Sequence, residues 1–473
     1  MADPRAAAAR ESAWASGALG ALLAALALAG CASHAHDVAS VHAALTAGDV
    51  LSAVSEFEKT EGRDNDLLYL LEKGHIMHLA ARWDESNDAF DAAERRAEDL
   101  YTKSISREAA AFLTSDLATE YRSAPFELQM VPYYRALNYL ATNEPEEALV
   151  EARKANSKLA MFLADDDPND ADVPRQAAFL QYVTGLIYES EGEANDAAVA
   201  LREAMRLYGE EQTISGRAAP DWLPEDFYAV AKHLDLSGEI DVLLAADPDL
   251  PRRAAESDAN NLVVFLESGF VPYREEVEII LPIFDEDDDD EGVFLGEPQW
   301  YVDRYSGDVY AYRADRVELD HVLSFAFPSL VTPESDVRIA EVLLSDGSCL
   351  AAQPALDLSA AAQDEFARRL PTTLLKTVMR AIAKETARRK AEEKDEVLGW
   401  IINAANVATE QADTRGWNFL PGRIDLLKAS VAPGSQTIRA RFRDAAGEIV
   451  EEVALDVEIE PGRTTFVSIR SFQ

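Results

Sequence analysis

Cysteine and catalytic signatures are both scarce in this chain. The 473 residues include only two cysteines and seven histidines. The patterns G-x-S-x-G, H-E-x-x-H, G-x-x-x-x-G-K-[ST], G-x-G-x-x-G and C-x-x-C do not occur, so the sequence offers no motif for a nucleophilic hydrolase, a zinc protease or a nucleotide site. We predict no catalytic residue, no metal ligand set and no cofactor. A glycosidase-like carboxylate pair stays open, because none of the 86 acidic residues is marked out from the others.

Basic residues are also scarce. There are 44 lysines and arginines against 86 acidic residues, which gives a formal net charge of −42. Such a surface repels nucleic acid and anionic headgroups, so we expect no nucleic-acid partner. Hydrophobic residues make up 48% of the chain, which is enough to build sizeable cores.

An apolar run without charge lies near the start of the chain. It covers residues 17–30 and follows a segment with two arginines. This run is shorter than the roughly 20 residues that a membrane span needs, and it predicts a signal peptide over 1–30. The string Leu-Ala-Gly-Cys at 28–31 resembles a bacterial lipobox, which implies cleavage before Cys31 and acylation of its thiol. The following Ala-Ser implies a lipid-anchored protein on the periplasmic face of the outer membrane, and an ordinary signal peptide with an unrelated cysteine is the alternative.

The second cysteine, Cys349, has no partner in the chain once Cys31 is acylated. A disulfide framework is therefore excluded. No motif surrounds Cys349, and we predict a buried structural thiol there.

Internal repeats occupy the first half of the mature chain. Apolar residues recur there with helical periodicity, and three segments share small and large residues at matched offsets. Gly74 is followed by Phe90 at offset 16, and Gly185 by Leu201 at the same offset. These offsets resemble the tetratricopeptide repeat, in which small residues let two helices cross closely and large ones fill the space beside them. We predict a tetratricopeptide-like helical domain over 31–245.

The repeat register also predicts which residues line the inner face of the solenoid. We expect an apolar, aromatic groove suited to a peptide or helix of a partner protein. Its predicted residues are Leu71, His75, His78, Tyr133, Leu137, Phe179, Tyr182 and Leu186. The alternative is that the chain's own C-terminal half fills this groove.

The second half alternates like half-buried β-strands. We predict a β-rich domain in two parts, 260–350 and 420–473, separated by a helical insert over 359–412. Ser359 is the expected cap of that insert, and Pro371 is expected to break or kink it. The Pro-Gly pairs at 433–434 and 461–462 predict hairpin turns. The stretch KETARRKAEEK at 384–394 is the most basic in the chain; it is either a solvated face or a docking site for an acidic partner.

Two longer strings extend the resemblance. YRSAPFELQMVPYYRALNYL at 121–140 and ATEQADTRGWNFLPGRI at 408–424, with the strand PGRTTFVSIR, resemble a family of bacterial lipoproteins that combine tetratricopeptide-like helices with a strand-rich C-terminal domain. In the second string we expect a helix that ends with Gly416 as a left-handed cap, and Trp417 and Phe419 packed at the junction.

Together these patterns predict an α+β protein: a tetratricopeptide-like α-solenoid followed by a β-rich domain with a long helical insert. The leading hypothesis is a non-enzymatic, lipid-anchored envelope scaffold or adaptor that binds an envelope protein through its repeats. The alternatives are a cell-wall or surface-organelle assembly factor acting through the β domain, and an enzyme acting on glycan or peptide.

Overall fold

The computed structural model describes residues 34, 38–60, 66–102, 120–165, 176–257, 260–285, 318–392 and 412–473. The predicted signal peptide 1–30 and Cys31 lie outside the described residues. Within these ranges, no helix combines the length and the apolar content that a membrane crossing requires.

The N-terminal half is built from helices that pack as antiparallel neighbours. The first four pairs, α1–α2 to α7–α8, are helical hairpins, and three shorter helices follow them. The helices are α1 Ala39–Thr46, α2 Val50–Lys59, α3 Leu67–Leu79, α4 Trp83–Thr102, α5 Pro125–Ala141, α6 Pro145–Asp165, α7 Gln176–Ser190, α8 Ala194–Ser215, α9 Trp222–His233, α10 Ser237–Ala246 and α11 Leu250–Ser257. Helix α11 therefore lies beyond residue 245, where the sequence predicted the end of the helical domain.

The small residues of the repeat pattern sit where two helices touch. A Cβ added to Gly74 on α3 would lie 2.6 Å from the ring of Phe90 on α4. A Cβ on Gly185 of α7 would lie 2.5 Å from a methyl carbon of Leu201 on α8. Ser86 also donates its hydroxyl to the carbonyl oxygen of Gly74 at 2.7 Å. The helical hairpins are thus tetratricopeptide-like, with the small-to-large packing that the sequence predicted.

The described residues of the C-terminal half form ten strands and one long helix. Four strands form the inner sheet, in the order β10-β1-β7-β6, and four form the outer sheet, in the order β5-β4-β8-β9. Among the described strands, β2 and β3 pair with each other and with no other strand, and we call this pair the arm. The elements are β1 Leu262–Ser268, β2 Tyr273–Asp285, β3 Glu318–Val331, β4 Ile339–Leu343, β5 Cys349–Ala351, β6 Gln353–Asp357, α12 Leu358–Glu392, β7 Arg423–Ala429, β8 Gly434–Arg443, β9 Ile449–Ile459 and β10 Thr465–Arg470.

The inner sheet is covered on both faces, and this decides where the core lies. Successive side chains of a strand point to opposite faces. On β1, Val263 and Phe265 join the core of the helices, whereas Leu262, Val264 and Leu266 join the core shared with the outer sheet. The protein is therefore an α+β structure in three layers: helices, inner sheet and outer sheet.

The two Pro-Gly turns connect sheets and do not form hairpins, contrary to the sequence prediction. Gly434 and Gly462 have the expected positive φ, 111° and 73°. However, the first turn joins β7 of the inner sheet to β8 of the outer sheet, and the second joins β9 to β10 in the reverse direction. The turn residues fix a local reversal of the backbone, but the sandwich decides which strand pairs with which.

The helical insert differs from the sequence prediction in its cap and in its course at Pro371. Helix α12 starts at Leu358, and the side chain of Asp357, not Ser359, accepts the N–H of Ala360 at 2.8 Å. The helix also continues through Pro371 instead of breaking there. Residues 393–411, the rest of the predicted insert, lie outside the described part of the chain.

Candidate functional site

The predicted groove residues do lie together on the inner face of the helices, but they are not open to solvent. Each is at most 6% exposed. They are Leu71, His75, His78, Tyr133, Leu137, Phe179, Tyr182 and Leu186. The inner sheet and the loop around Trp417 pack onto them, so the prediction of an open partner-binding groove is wrong and the alternative is correct: the chain's own C-terminal half fills the groove.

A carboxylate on the inner sheet anchors this contact. Glu267 of β1 is fully buried and faces the helices. Tyr133 donates its hydroxyl to Oε1 of Glu267 at 3.0 Å, and Tyr134 donates to Oε2 at 3.4 Å. Burial raises the pKa of Glu267, and the nearby guanidinium of Arg470 opposes that shift. Tyr133, which was expected to face a partner, therefore holds the sheet in place together with its neighbour Tyr134.

A second buried polar contact between sheet and helices lies on the neighbouring strand, β7. Lys428 of β7 forms a buried ion pair with Asp226 of α9. Tyr182 of α7 donates its hydroxyl to the other oxygen of Asp226 at 2.7 Å. Tyr208 of α8 adds a bond of 2.8 Å to the carbonyl oxygen of Ala355 on β6. Together with Glu267 on β1, these contacts on β7 and β6 tie three strands of the inner sheet to the helices at separate points.

The two histidines of the groove belong to an aromatic cluster. The ring of His75 lies 4.5 Å from that of Tyr134 and 5.5 Å from that of Trp417, centroid to centroid. His78 shares a hydrogen bond of 2.6 Å with Asn138. Neither ring nitrogen of His75 has a hydrogen-bond partner. Burial lowers the pKa of His75 well below its ordinary value and that of His78 to about 4, so both rings are neutral at pH 7.

This neutrality gives a prediction for His75→Phe. The unfolded chain takes up a proton below pH 6.5, whereas the folded protein holds His75 neutral, so the wild type loses stability as the pH falls. The variant removes that loss and the unsatisfied ring nitrogens. We expect its stability relative to wild type to rise by about 2 kcal/mol between pH 7 and pH 5. Urea unfolding at both pH values measures the difference.

His78→Phe is the matched control. It also removes a buried imidazole, but it leaves the side chain of Asn138 without one of its partners. We therefore expect His78→Phe to be less stable than wild type at pH 7, where His75→Phe is not. A pH-independent difference between His75→Phe and wild type would contradict our account of this ring.

Glu127 accepts four hydrogen bonds and is called the hub below; the sequence analysis did not single it out. This residue of α5 is 3% exposed, and one oxygen accepts the hydroxyls of Tyr121 and Ser123 and the N–H of Ala124. Its other oxygen accepts the N–H of Trp417 at 2.9 Å. One carboxylate thus caps the start of α5 and fixes the loop that enters the groove.

The loop itself partly contradicts its prediction. Trp417 and Phe419 are buried at the junction between helices and sheet, as predicted. Gly416, however, does not have a positive φ, and residues 412–416 are not helical. The preference for glycine there has a steric component instead, because a Cβ would lie 3.3 Å from Oδ1 of Asn418 and 3.6 Å from Oε1 of Glu127.

A small crevice lies beside this loop, between α5, the base of the arm and α12. Glu127 is the one carboxylate among its lining residues in the described part of the chain. Three or more metal-ligating side chains do not gather anywhere among the described residues. The buried carboxylates of the interface, Glu127, Asp226 and Glu267, accept hydrogen bonds from tyrosines, a lysine and backbone N–H groups, so they hold the sheet and the loop on the helices.

Cys349 also departs from its prediction. It lies on β5, the exposed edge strand of the outer sheet, and is not buried. Partial burial raises the pKa of its thiol, with a further contribution from the neighbouring Glu341 carboxylate. The thiol is therefore accessible but is not activated as a nucleophile.

Comparisons with known proteins match less than half of the chain. No protein-family model matches the chain, and no curated protein sequence matches it. Among solved structures, apo RapI is similar at 10% identity over 46% of this chain and 53% of its own, with a TM-score of 0.32. Aspartyl phosphate phosphatase F from Bacillus subtilis is similar at 15% identity over 47% of this chain and 51% of its own, with a TM-score of 0.30. A putative kinesin light chain from Podospora anserina with TPR-like repeats is similar at 12% identity over 47% of this chain and 95% of its own, with a TM-score of 0.29. The matches span about half the length of the first two proteins.

Proposed function

We propose that the chain is a lipid-anchored scaffold of the bacterial envelope that binds a protein partner through the outer sheet of its β-sandwich, without catalysing a reaction. Acylation at Cys31 places it on the periplasmic face of the outer membrane. The observation that carries the proposal is the filled groove: the surface that solenoids of paired helices offer to ligands is occupied here by the chain's own inner sheet. A partner must therefore bind elsewhere.

The outer sheet is the face that supports such binding. Its inner side is packed on the inner sheet, and described side chains on its other side are exposed, among them Ile339 and Ile449. On that side Ile339 of β4 and Ile449 of β9 flank Arg443 of β8 in one row, and each isoleucine is 45% exposed. Arg443 is held by Glu341 at 2.7 Å. Exposed aliphatic residues around an ordered arginine are typical of protein-binding surfaces.

Cys349 allows a direct test, because it is the only thiol left once Cys31 is acylated. Labelling Cys349 with a maleimide-linked photocrosslinker in isolated envelopes should give one dominant adduct with an envelope protein. Substituting both Ile339→Glu and Ile449→Glu should abolish that adduct, since a charge on each side disrupts an apolar contact. Mass spectrometry identifies the adduct, and circular dichroism checks the fold of the variant.

The matched control moves the thiol to the helical surface. Leu51 on α2 is 78% exposed, and Leu51→Cys combined with Cys349→Ser should not label the same partner. Equal labelling from both positions, or an adduct that survives the double glutamate substitution, would contradict binding through the outer sheet. Removing residues 260–473 is not a valid test, because β1 and β7 form part of the core of the helical half.

A further inference from the structure

The long helix α12 has an apolar outer face. Leu375, Val378, Met379 and Ile382 are 63%, 42%, 45% and 53% exposed. Their spacing of three and four residues places all of them on one side of the helix. The opposite side carries the buried residues Thr377, Arg380 and Ala381, and the helix packs there against β3. The usual distribution of polar and apolar residues on a surface helix is thus reversed.

The same helix is basic in a strongly acidic protein. Over its whole length, Leu358–Glu392, α12 contains eight lysines and arginines and four acidic residues, so 8 − 4 gives a formal charge of +4 in a chain of −42. Among the described side chains, Arg369 and Lys376 are exposed beside the apolar stripe, and Arg369 also forms an ion pair with Glu365. A helix with an exposed aliphatic stripe and flanking cations is complementary to an anionic surface that has an apolar interior.

The N-terminus of the described chain lies on the side of the molecule where α12 begins. His34, three residues after Cys31, contacts Glu72 at 2.7 Å. Glu72 lies on α3, which contacts α5, the helix that carries Glu127 in its first turn. Glu127 lines the crevice that Ala362 of α12 also lines. Three residues reach at most about 11 Å, so a lipid on Cys31 would hold this side of the molecule near the bilayer.

We propose that the outer face of α12, formed by Leu375, Val378, Met379 and Ile382 with the neighbouring cations, docks on a membrane surface rich in anionic phospholipid. The inference rests on the proposed anchoring at Cys31, which brings the helix to the bilayer. The four aliphatic side chains enter the boundary between headgroups and acyl chains, and the cations contact the phosphates. The anchor together with this helix would orient the sandwich relative to the membrane.

The test uses the full chain carrying Cys31→Ser, so that acylation contributes nothing, and vesicles of phosphatidylcholine with or without phosphatidylglycerol. We expect binding to the anionic vesicles that weakens with added salt. Lys376→Gln should lower the partition coefficient roughly fivefold. Leu375→Ser combined with Met379→Ser should lower it by at least about tenfold. Both changes are at exposed positions, so the fold should survive them.

Matched controls lie on α2. Lys59→Gln and Leu51→Ser alter exposed residues of the same types and should leave vesicle binding unchanged. A polarity-sensitive dye at Met379→Cys, with Cys349→Ser added, should shift to the blue on anionic vesicles. The segment 1–30 is present in every sample, so its contribution to vesicle binding is the same in all variants that are compared.

Three outcomes would overturn the proposal. The first is equal binding of the wild type and the α12 variants to anionic vesicles. The second is a dye at position 379 that reports no change of environment. The third is self-association in sedimentation that the α12 substitutions abolish, which would assign the stripe to a second copy of the chain. Failure here leaves the acylation of Cys31 untouched, which mass analysis of the native protein tests separately.

Discussion

Replacing Lys428 by methionine is expected to lower the free energy of unfolding by about 3–5 kcal/mol. The substitution leaves the Asp226 carboxylate buried without its cation, and only the hydroxyl of Tyr182 remains to stabilise it. Burial alone would lower the pKa of the Lys428 ammonium, but the carboxylate outweighs burial and raises it. The lysine is therefore charged in the folded protein. Chemical denaturation followed by circular dichroism measures the loss.

A double variant separates the stability contribution of the Lys428–Asp226 ion pair from the contribution of each residue alone. Combining Lys428→Met with Asp226→Leu removes both charges, and the cost then falls to that of the unpaired Tyr182 hydroxyl, about 1–3 kcal/mol. The double variant should thus be more stable than Lys428→Met. Arg252→Met is the control, because the Arg252–Glu256 pair is about two-thirds exposed and should contribute less than about 1 kcal/mol. If the two single losses simply add, the residues do not act as a pair.

The local parts of the fold were predictable from the sequence. The offset between Gly74 and Phe90 reflects a steric requirement of two crossing helices: a small residue on one helix faces a large one on the other, and both can be read from the sequence. On β1, Leu262–Leu266 is an unbroken apolar run, which is typical of a strand that is buried on both faces. In each case the pattern and its cause lie within a few tens of residues.

The occupant of the groove was not predictable in the same way. An aromatic inner face has the same sequence whether it packs on a partner or on the chain's own sheet. The informative signal was on the sheet: Glu267 follows five apolar residues of β1, and Asp425 and Lys428 interrupt the apolar residues of β7. Charged residues inside buried strands need partners, and the tyrosines of the helices are suitable ones. Reading both halves together would have favoured the filled groove.

Glu127→Ala is the second substitution with a large expected effect. It removes the acceptor of two hydroxyls and two backbone N–H groups, among them the N–H of Trp417. Because these donors are largely buried, we expect a loss of about 3–4 kcal/mol in the free energy of unfolding. The loop around Trp417 should loosen as well, which would reduce the near-ultraviolet circular dichroism of the aromatic cluster.

The comparison that isolates the hub is with Glu147, a glutamate in the first turn of the neighbouring helix α6. Glu147 is exposed, so Glu147→Ala should change stability by less than about 1 kcal/mol. Glu127→Gln keeps the size of the side chain but turns an NH₂ group toward donors, so it should recover only part of the loss. Equal effects of the two alanine substitutions would mean that Glu127 acts only through the helix dipole. A larger loss at Glu127, with a changed aromatic signal, would mean that it joins the loop to the helices and keeps the groove closed.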